Sequence, residues 1–296
     1  MKEKVTRLIK FDWAIKNILR NKSNFDILEG FLSALLCREI KIMNILESES
    51  NQETREDKFN RVDLLAEEKN GDRIIIEVQI QKDYDYLLRI LYGTSKLIVE
   101  NIEKGTSYKK IKKVISVSIL YYDFSGNKEE YIYYGRTEFK GIHTGEILKI
   151  KDKEKRVIDT IEWNKYPEYY LIEVNKFKDI IGSDIDEWIY LLKNDAGLES
   201  FKTKNIKKAM HKLNLKKMEE DERKRYDKYY FDMMKTESEI DSARSDGLYE
   251  GEKKGEKKGE KNKQIEIAKK MLQNNEPINK IIEYTALTEN EIKKLK

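Results

Sequence analysis

The chain has 296 residues, of which 59 are Lys or Arg and 55 are Asp or Glu, so the net charge is only +4. This length suffices for one large domain and a tail, while so small a net charge says little about partners. The single cysteine excludes an internal disulfide, and we find no signal-peptide core and no apolar run of the roughly 18 residues that a membrane span needs. We therefore expect a cytoplasmic protein that has no membrane partner.

The first third of the chain predicts two helices and a short strand. Residues 12–20 and 25–38 carry apolar residues at helical spacing, which is typical of amphipathic helices. A short strand is expected at 40–46, and the polar stretch 47–58 is expected to be a loop.

A β-hairpin is predicted over residues 61–80, because two apolar runs flank Asn70-Gly71. With a two-residue loop, Asp63 and Glu77 would point to opposite faces of the hairpin. With a three-residue loop that ends on a left-handed Gly71, Asp63 lies opposite Glu77, and the apolar residues of both strands share one face. A slip of one residue is costly where one face is buried. We therefore predict the three-residue loop.

The two opposed acids indicate a cation site. Side chains opposite each other in such a pair have Cβ atoms about 5 Å apart, and two carboxylates at that distance repel unless a positive charge lies between them. Oxygen ligands suit a divalent cation such as Mg²⁺. Glu77 also interrupts an apolar strand, where a carboxylate must be paired or bound to metal. The alternative is a hairpin with two surface acids, since 39% of the chain is charged. The pattern favours the metal site.

The middle of the chain predicts a crossover connection. Residues 84–103 predict a long amphipathic helix, and the apolar run 114–122 predicts a strand, which should lie parallel to one hairpin strand. Further strands are expected, and a helical region begins near Trp188. The expected strands are 131–139, 146–150, 157–163 and 169–174.

The C-terminal third is highly charged and helical in pattern. Glycines recur every four residues in the low-complexity stretch 246–262, where each Gly costs a helix roughly 1 kcal/mol relative to Ala. A helix here would need a partner whose backbone approaches along the glycine stripe, and the pattern favours a flexible linker. Residues 264–296 predict three short helices that resemble a helix-turn-helix, the last capped by Thr288 and Glu291. They could contact DNA or protein, or simply pack together.

Asp63 followed by Glu77-Val78-Gln79 resembles the PD-(D/E)XK nuclease signature with Gln in place of Lys. That variant is typical of the recombination-promoting nuclease (Rpn) family, also called the PD-(D/E)XK nuclease family transposases. Other segments of the chain are similar to this family in the same order. They are FDWAIKNIL (11–19), ILEGFLSALL (27–36), DYLLRILYGTSKL (85–97), LIEVNKF (171–177), DEWIYLL (186–192) and the repeated Gly-Glu tail.

The resemblance implies an α/β fold, with a restriction-endonuclease-like mixed sheet flanked by helices and followed by a helical C-terminal extension. Together with the composition of the C-terminal third, it divides the chain into a nuclease-like domain, a charged helical extension, a Gly-Glu-Lys repeat linker and a small helical tail. These parts span 1–195, 196–245, 246–262 and 263–296. It also implies a DNA endonuclease of recombination or of mobile elements.

The resemblance further implies a set of site residues. Asp63, Glu77 and the Val78 carbonyl would hold Mg²⁺ or another divalent cation. Gln79 would bind the attacking water but lacks the charge of the motif lysine. Glu29 is a further candidate, with a solvated helix acid as the equal alternative.

Basic residues provide candidate DNA contacts. Arg89 is expected either to contact a phosphate or to be an ordinary ion-pair partner. Lys109, Lys110 and Lys112 lie in a basic stretch that can also be a solvated face. Two other hypotheses remain open: a DNA-binding protein without catalysis, and a protein that self-assembles, for example as a homodimer through its C-terminal helices.

Overall fold

The computed structural model of the protein describes residues 5–46, 63–100, 107–151, 156–159 and 165–295. The chain forms two compact units, Met1–Arg223 and Lys224–Lys296. The helices are α1 (Phe11–Asn17), α2 (Phe25–Leu36), α3 (Tyr86–Glu100), α4 (Asp184–Asn194), α5 (Ile206–Lys212), α6 (Glu220–Gln273), α7 (Ile278–Thr285) and α8 (Glu289–Lys293). The strands are β1 (Val5–Arg7), β2 (Ile42–Leu46), β3 (Leu64–Glu68), β4 (Arg73–Gln79), β5 (Val114–Leu120), β6 (Ile132–Arg136), β7 (Lys149–Lys151), β8 (Val157–Asp159), β9 (Glu168–Glu173) and β10 (Ala196–Leu198).

A mixed six-stranded sheet organises the first unit, in the order β2-β3-β4-β5-β9-β6. Strands β4, β5 and β9 are parallel neighbours, whereas β2, β3 and β6 join their neighbours antiparallel. Helix α3 connects β4 to the parallel β5, as predicted for a crossover unit. This arrangement confirms the restriction-endonuclease-like fold expected from the sequence.

The hairpin of β3 and β4 has the predicted register. Leu64 pairs with Ile76, and Glu67 pairs with Arg73. The Gly71 N–H donates to the Glu68 carbonyl at 2.8 Å, and Gly71 has a φ of 83°. A left-handed glycine after a tight turn is what a three-residue hairpin loop requires. The three-residue loop is thus confirmed.

Helices cover both faces of the sheet. On one face, Leu97 and Ile98 of α3 pack against a buried cluster of Leu65, Ile75 and Val114. On the other face, the Tyr121 hydroxyl donates to the Leu192 carbonyl of α4 at 3.0 Å.

Aromatic rings join the helices of the second layer. The ring of Phe31 in α2 lies 6.0 Å from both the Phe11 ring in α1 and the Trp188 ring in α4. Edge-on contacts of this kind stabilise a core beyond simple burial. They fix α1 in place, and α1 contributes to the site described below.

The predicted elements of the first unit are present with shifted ends. The helices expected at 12–20, 25–38 and 84–103 are α1, α2 and α3, and the strand at 114–122 is β5. Expectations for 47–58, and for the ends of the helix at 101–103 and of the strand at 160–163, fall outside the described residues. Two short sheets, β1-β10 and β7-β8, complete the unit.

The second unit is helical. The end of α6 packs with α7 and α8 around Ala268, Ile281, Leu287 and Ile292. Thr288 and Glu291 form the predicted capping box at the start of α8. Among the described residues, none of the helices combines the length and apolar character that crossing a membrane requires.

The linker favoured for 246–262 is wrong, because helix α6 continues through the whole glycine repeat. The partner backbone that a helix here was thought to need is not seen: apart from the neighbouring residues and the helix's own backbone, no described atom comes within 4 Å of a Cβ placed on Gly247, Gly251, Gly255 or Gly259. The helix is instead supported by residues between the glycines, for example by the Lys254–Glu250 pair at 3.2 Å. Such pairs one turn apart stabilise an exposed helix by about 0.2–0.5 kcal/mol each.

Two helical glycines provide a test of packing against helix propensity. A Cβ on Gly30 of α2 would lie 2.7 Å from the Lys204 carbonyl oxygen and 2.9 Å from a Trp188 ring atom. Alanine favours a helix by about 1 kcal/mol over glycine, whereas overpacking costs about 1–3 kcal/mol. We expect Gly30→Ala to lower the free energy of unfolding by up to about 2 kcal/mol, as measured by urea denaturation.

Gly255→Ala in α6 is the matched control, because nothing described surrounds that position. This variant should raise helix content, and helix stability by up to about 1 kcal/mol, in circular dichroism. A change in stability of the same sign and size in both variants would contradict the close packing assigned to Gly30.

Candidate active site at the end of strand β4

Strand β4 extends past the first residue of β3, and Asp63 lies at this step. The last pair of the two strands is Leu64 with Ile76, so Glu77, Val78 and Gln79 have no backbone partner in β3. The Val78 N–H donates instead to Asp63 Oδ2 at 2.7 Å. The carboxylate takes the place that a backbone carbonyl would hold in a continued ladder. Asp63 is thereby fixed against the strand that carries Glu77.

Two cations from the N-terminal segment hold Asp63. Lys16 Nζ in α1 lies 3.2 Å from Asp63 Oδ1, and Arg20 donates to the Asp63 backbone carbonyl at 2.7 Å. The Asp63 side chain is 17% exposed and that of Lys16 is 51% exposed. The acid is therefore sheltered, while its lysine partner borders solvent.

Glu77 is buried and meets helix α3. The Tyr86 hydroxyl donates to Glu77 Oε2 at 3.5 Å, and Arg89 Nη2 donates to the same oxygen at 3.3 Å. Arg89 also pairs with Asp83 at 3.1 Å and lies over the Tyr86 ring. In this structure Arg89 is an ion-pair partner, which was one of its two expected roles.

The environment raises the pKa of Glu77. Burial is the main cause, the charge of Arg89 opposes it, and the negative charge of Asp63 raises the pKa further. Burial and the nearby Glu77 carboxylate also raise the pKa of Tyr86, so its phenol stays protonated and able to donate. The effect of Asp63 on Glu77 indicates two interacting carboxylates at one end of the sheet, which attract positive charge.

The oxygen donors here are compatible with a magnesium ion. Asp63 and Glu77 provide two carboxylates. The N–H and C=O of one strand residue point to the same edge, so the Val78 carbonyl lies on the Asp63 side. No group of three His, Cys, Asp or Glu side chains that could hold a metal occurs in the described parts of the chain. Magnesium commonly needs only one or two carboxylates, because water and phosphate complete its shell.

Gln79 lies two residues after Glu77 and therefore on the same face of β4. Its backbone carbonyl accepts a hydrogen bond from the Tyr121 N–H at 2.9 Å, which ties the end of β4 to β5. The side chain is partly exposed. Its amide can orient a water molecule but brings no charge to the site.

The structure does not bring Glu29 to these acids. Glu29 accepts a hydrogen bond from the Ile42 N–H at 3.0 Å and pairs with Lys41 at 3.0 Å. Ile42 pairs with Glu68, five residues along β3 from Asp63, which is a distance of about 17 Å in a strand. The expectation of Glu29 as a site residue is corrected: its carboxylate satisfies the start of β2.

The basic stretch before β5 lies at the opposite end of the sheet. Lys112 Nζ donates to the Asn70 carbonyl in the hairpin loop at 3.4 Å. Lys110 ends a short 3₁₀ turn and is exposed, and the side chain of Lys109 lies outside the described residues. Because β4 and β5 are parallel, both strands start at this end, and Glu77 lies four residues further along β4 than Arg73, its first residue.

Sequence reasoning missed Lys16, Arg20 and Tyr86. Lys16 lies in the segment FDWAIKNIL, which resembles a helix of the family, but the resemblance gives this lysine no role. Helical periodicity predicts which residues of a helix are buried, but not which end of the sheet its polar residues will contact. The available signal is that Lys16 and Arg20 are four residues apart, which places them on one side of the helix predicted at 12–20.

Comparison with known proteins identifies the family of the chain. The family model described as PD-(D/E)XK nuclease family transposase matches residues 9–243, which include α1, both acids and the whole sheet. No curated protein and no solved structure matches the chain. Since the family model covers well over half of the sequence, the chain belongs to the PD-(D/E)XK nuclease family transposases.

Proposed function

We propose that this protein is a Mg²⁺-dependent DNA endonuclease, which hydrolyses phosphodiester bonds at Asp63 and Glu77 and acts in recombination or on mobile elements. The observation that carries the proposal is the hydrogen bond from the Val78 N–H to Asp63, which brings Asp63 beside Glu77. Membership in a nuclease family makes DNA the substrate class that fits best.

Each residue of the site has a separate task. Asp63, Glu77 and the Val78 carbonyl would hold the divalent ion that nucleases of this type generally use. When bound, the ion supplies charge at the phosphoryl oxygen and lowers the pKa of water. Gln79 orients the attacking water through its amide. Tyr86 and Arg89 hold the Glu77 side chain at the end of β4.

The reaction is a balanced hydrolysis. The water oxygen forms a bond to phosphorus, and one ester P–O bond breaks. One proton of the water ends on the leaving oxygen, so that the products are a phosphate monoester and a hydroxyl group. No further reactant is required.

Asp63→Asn tests the metal site with little change of shape. The amide oxygen can still accept from the Val78 N–H, but the carboxylate charge is lost. A bound metal ion stabilises the transition state by several kcal/mol, and each 1.4 kcal/mol changes the rate about tenfold. We therefore expect the rate of cleavage to fall at least about 100-fold. The assay is nicking of supercoiled plasmid with Mg²⁺, compared with EDTA.

Asp26→Asn is the control, because Asp26 also pairs with a lysine, Lys208, but lies in the first turn of α2. It should cut like the wild type. Salt-sensitive DNA binding by the wild type without any cleavage would contradict the proposal and favour a DNA-binding protein.

The pH dependence of stability tests Glu77. Its pKa is higher in the folded protein than in the unfolded chain, so wild-type stability without metal falls as pH rises from the ordinary glutamate pKa through the raised one. Glu77→Gln has no such loss. In EDTA this variant should therefore be more stable than wild type at neutral pH, with the difference vanishing in acid, as measured by urea denaturation. With Mg²⁺, only the wild type should gain stability, and Glu77→Gln should not cut DNA.

Glu67→Gln in β3 should change stability in the opposite direction. Burial acts to raise the pKa of Glu67, but the hydrogen bond from Asn44 and the charge of Arg73 outweigh it and lower the pKa. This variant should lose stability at neutral pH relative to wild type. If Glu77→Gln and Glu67→Gln changed the free energy of unfolding at neutral pH in the same direction, the environment assigned to Glu77 would be contradicted.

A further inference from the structure

The site lacks the positive charge that the PD-(D/E)XK motif places two residues after its second acid. Gln79 occupies that position, and an amide cannot offset the negative charge that grows on a phosphate during hydrolysis. An ammonium group is nevertheless at hand, because Lys16 Nζ lies 3.2 Å from Asp63 Oδ1. It comes from α1 rather than from β4.

Lys16 lies on a helix that is anchored in the core, while its own side chain reaches solvent. Its neighbours Trp13, Ala14 and Ile15 are buried, so the backbone of α1 is anchored in the core. Arg20 ties the following turn to the Asp63 backbone at 2.7 Å. The Lys16 side chain is half exposed, and its four-carbon stem can move the ammonium by a few ångström without a backbone shift.

We propose that Lys16 is the catalytic cation of this enzyme and supplies from α1 the charge that Gln79 does not supply from β4. This inference rests on the proposed endonuclease function. With DNA bound, the Lys16 ammonium donates to a non-bridging oxygen of the scissile phosphate. It stabilises the charge that builds there while water attacks and the ester bond breaks, as balanced above. Charges aimed at the transition state in this way raise the rate without tightening substrate binding.

The ion pair with Asp63 gives the proposal a readout that does not depend on activity. Lys16 and a divalent ion both use the Asp63 carboxylate, so they compete for it. Removing the ammonium should leave Mg²⁺ affinity unchanged or make it tighter. A lysine that only supports the structure would behave differently, because its loss would loosen Asp63 and weaken Mg²⁺ binding.

The test compares Lys16→Gln with Lys41→Gln in the full chain. Lys41 is a matched control, since it is equally exposed and pairs with a sheltered carboxylate, Glu29, away from the site. For Lys16→Gln we expect kcat for plasmid cleavage to fall at least about 100-fold, with KM within about threefold of wild type. Mg²⁺ alone, followed by calorimetry and by the shift in melting temperature, should bind as tightly as to wild type or more tightly. Lys41→Gln should match wild type in every readout.

The double variant Lys16→Gln with Gln79→Lys returns a lysine to the motif position. We expect the kcat of the double variant to be at least about tenfold higher than that of Lys16→Gln, because β4 then supplies the positive charge. Lys16→Arg should have a kcat between those of the wild type and Lys16→Gln, since arginine keeps the positive charge but places it with a different side-chain geometry.

Wild-type kcat in Lys16→Gln would overturn the inference and leave the endonuclease proposal standing. Parallel losses of Mg²⁺ affinity and melting temperature in Lys16→Gln, with no rescue by the double variant, would also overturn it, in favour of a structural lysine. A wild-type protein that binds Mg²⁺ but cuts no DNA would remove the proposed function and this inference together.

Discussion

The hydrogen bond between the Val78 N–H and the Asp63 carboxylate is the contact on which the site depends. It forms because the pairing of β3 with β4 ends at Leu64 and Ile76, so the next β4 N–H that faces β3, that of Val78, has no backbone acceptor in β3. A buried strand N–H without a partner is costly, so a side-chain acceptor at this step satisfies a structural need. The same bond fixes an acid beside Glu77. One interaction therefore satisfies the backbone of β4 and positions the acid.

Each of the two acids is paired with a cation from a different helix. Asp63 meets Lys16 of α1, whereas Glu77 meets Arg89 of α3. Each acid alone would be an ordinary ion pair. Together they raise the pKa of Glu77 and retain an attraction for a further cation, because burial adds to their mutual repulsion. Buried ionisable groups with shifted pKa values are typical of functional sites, where they lower the stability of the free protein.

The second unit is stabilised in a different way from the first. Helix α6 has 54 residues and few buried ones, so it depends on local interactions and on the small cluster at its end. Its glycines weaken the backbone preference, while pairs one turn apart, such as Lys270 with Glu266 at 2.9 Å, support it. The repeat is thus an exposed polar helix, and the buried residues of α6, Tyr226 and Ala268, lie outside the glycine stretch.

The sequence alone determined the hairpin and its register, because alternation along two short strands and a left-handed glycine leave a single arrangement that buries one face. It also determined the family, since Asp63 and Glu77-Val78-Gln79 are local features of those strands. Only the tertiary structure decided which helix residues meet them. Lys16 lies 47 residues before Asp63 and Glu29 lies 34 residues before it, and local periodicity cannot rank two polar helix residues by the end of the sheet they will reach. That choice is made by the packing of α1 and α2 through Phe31, a contact between residues distant in the chain.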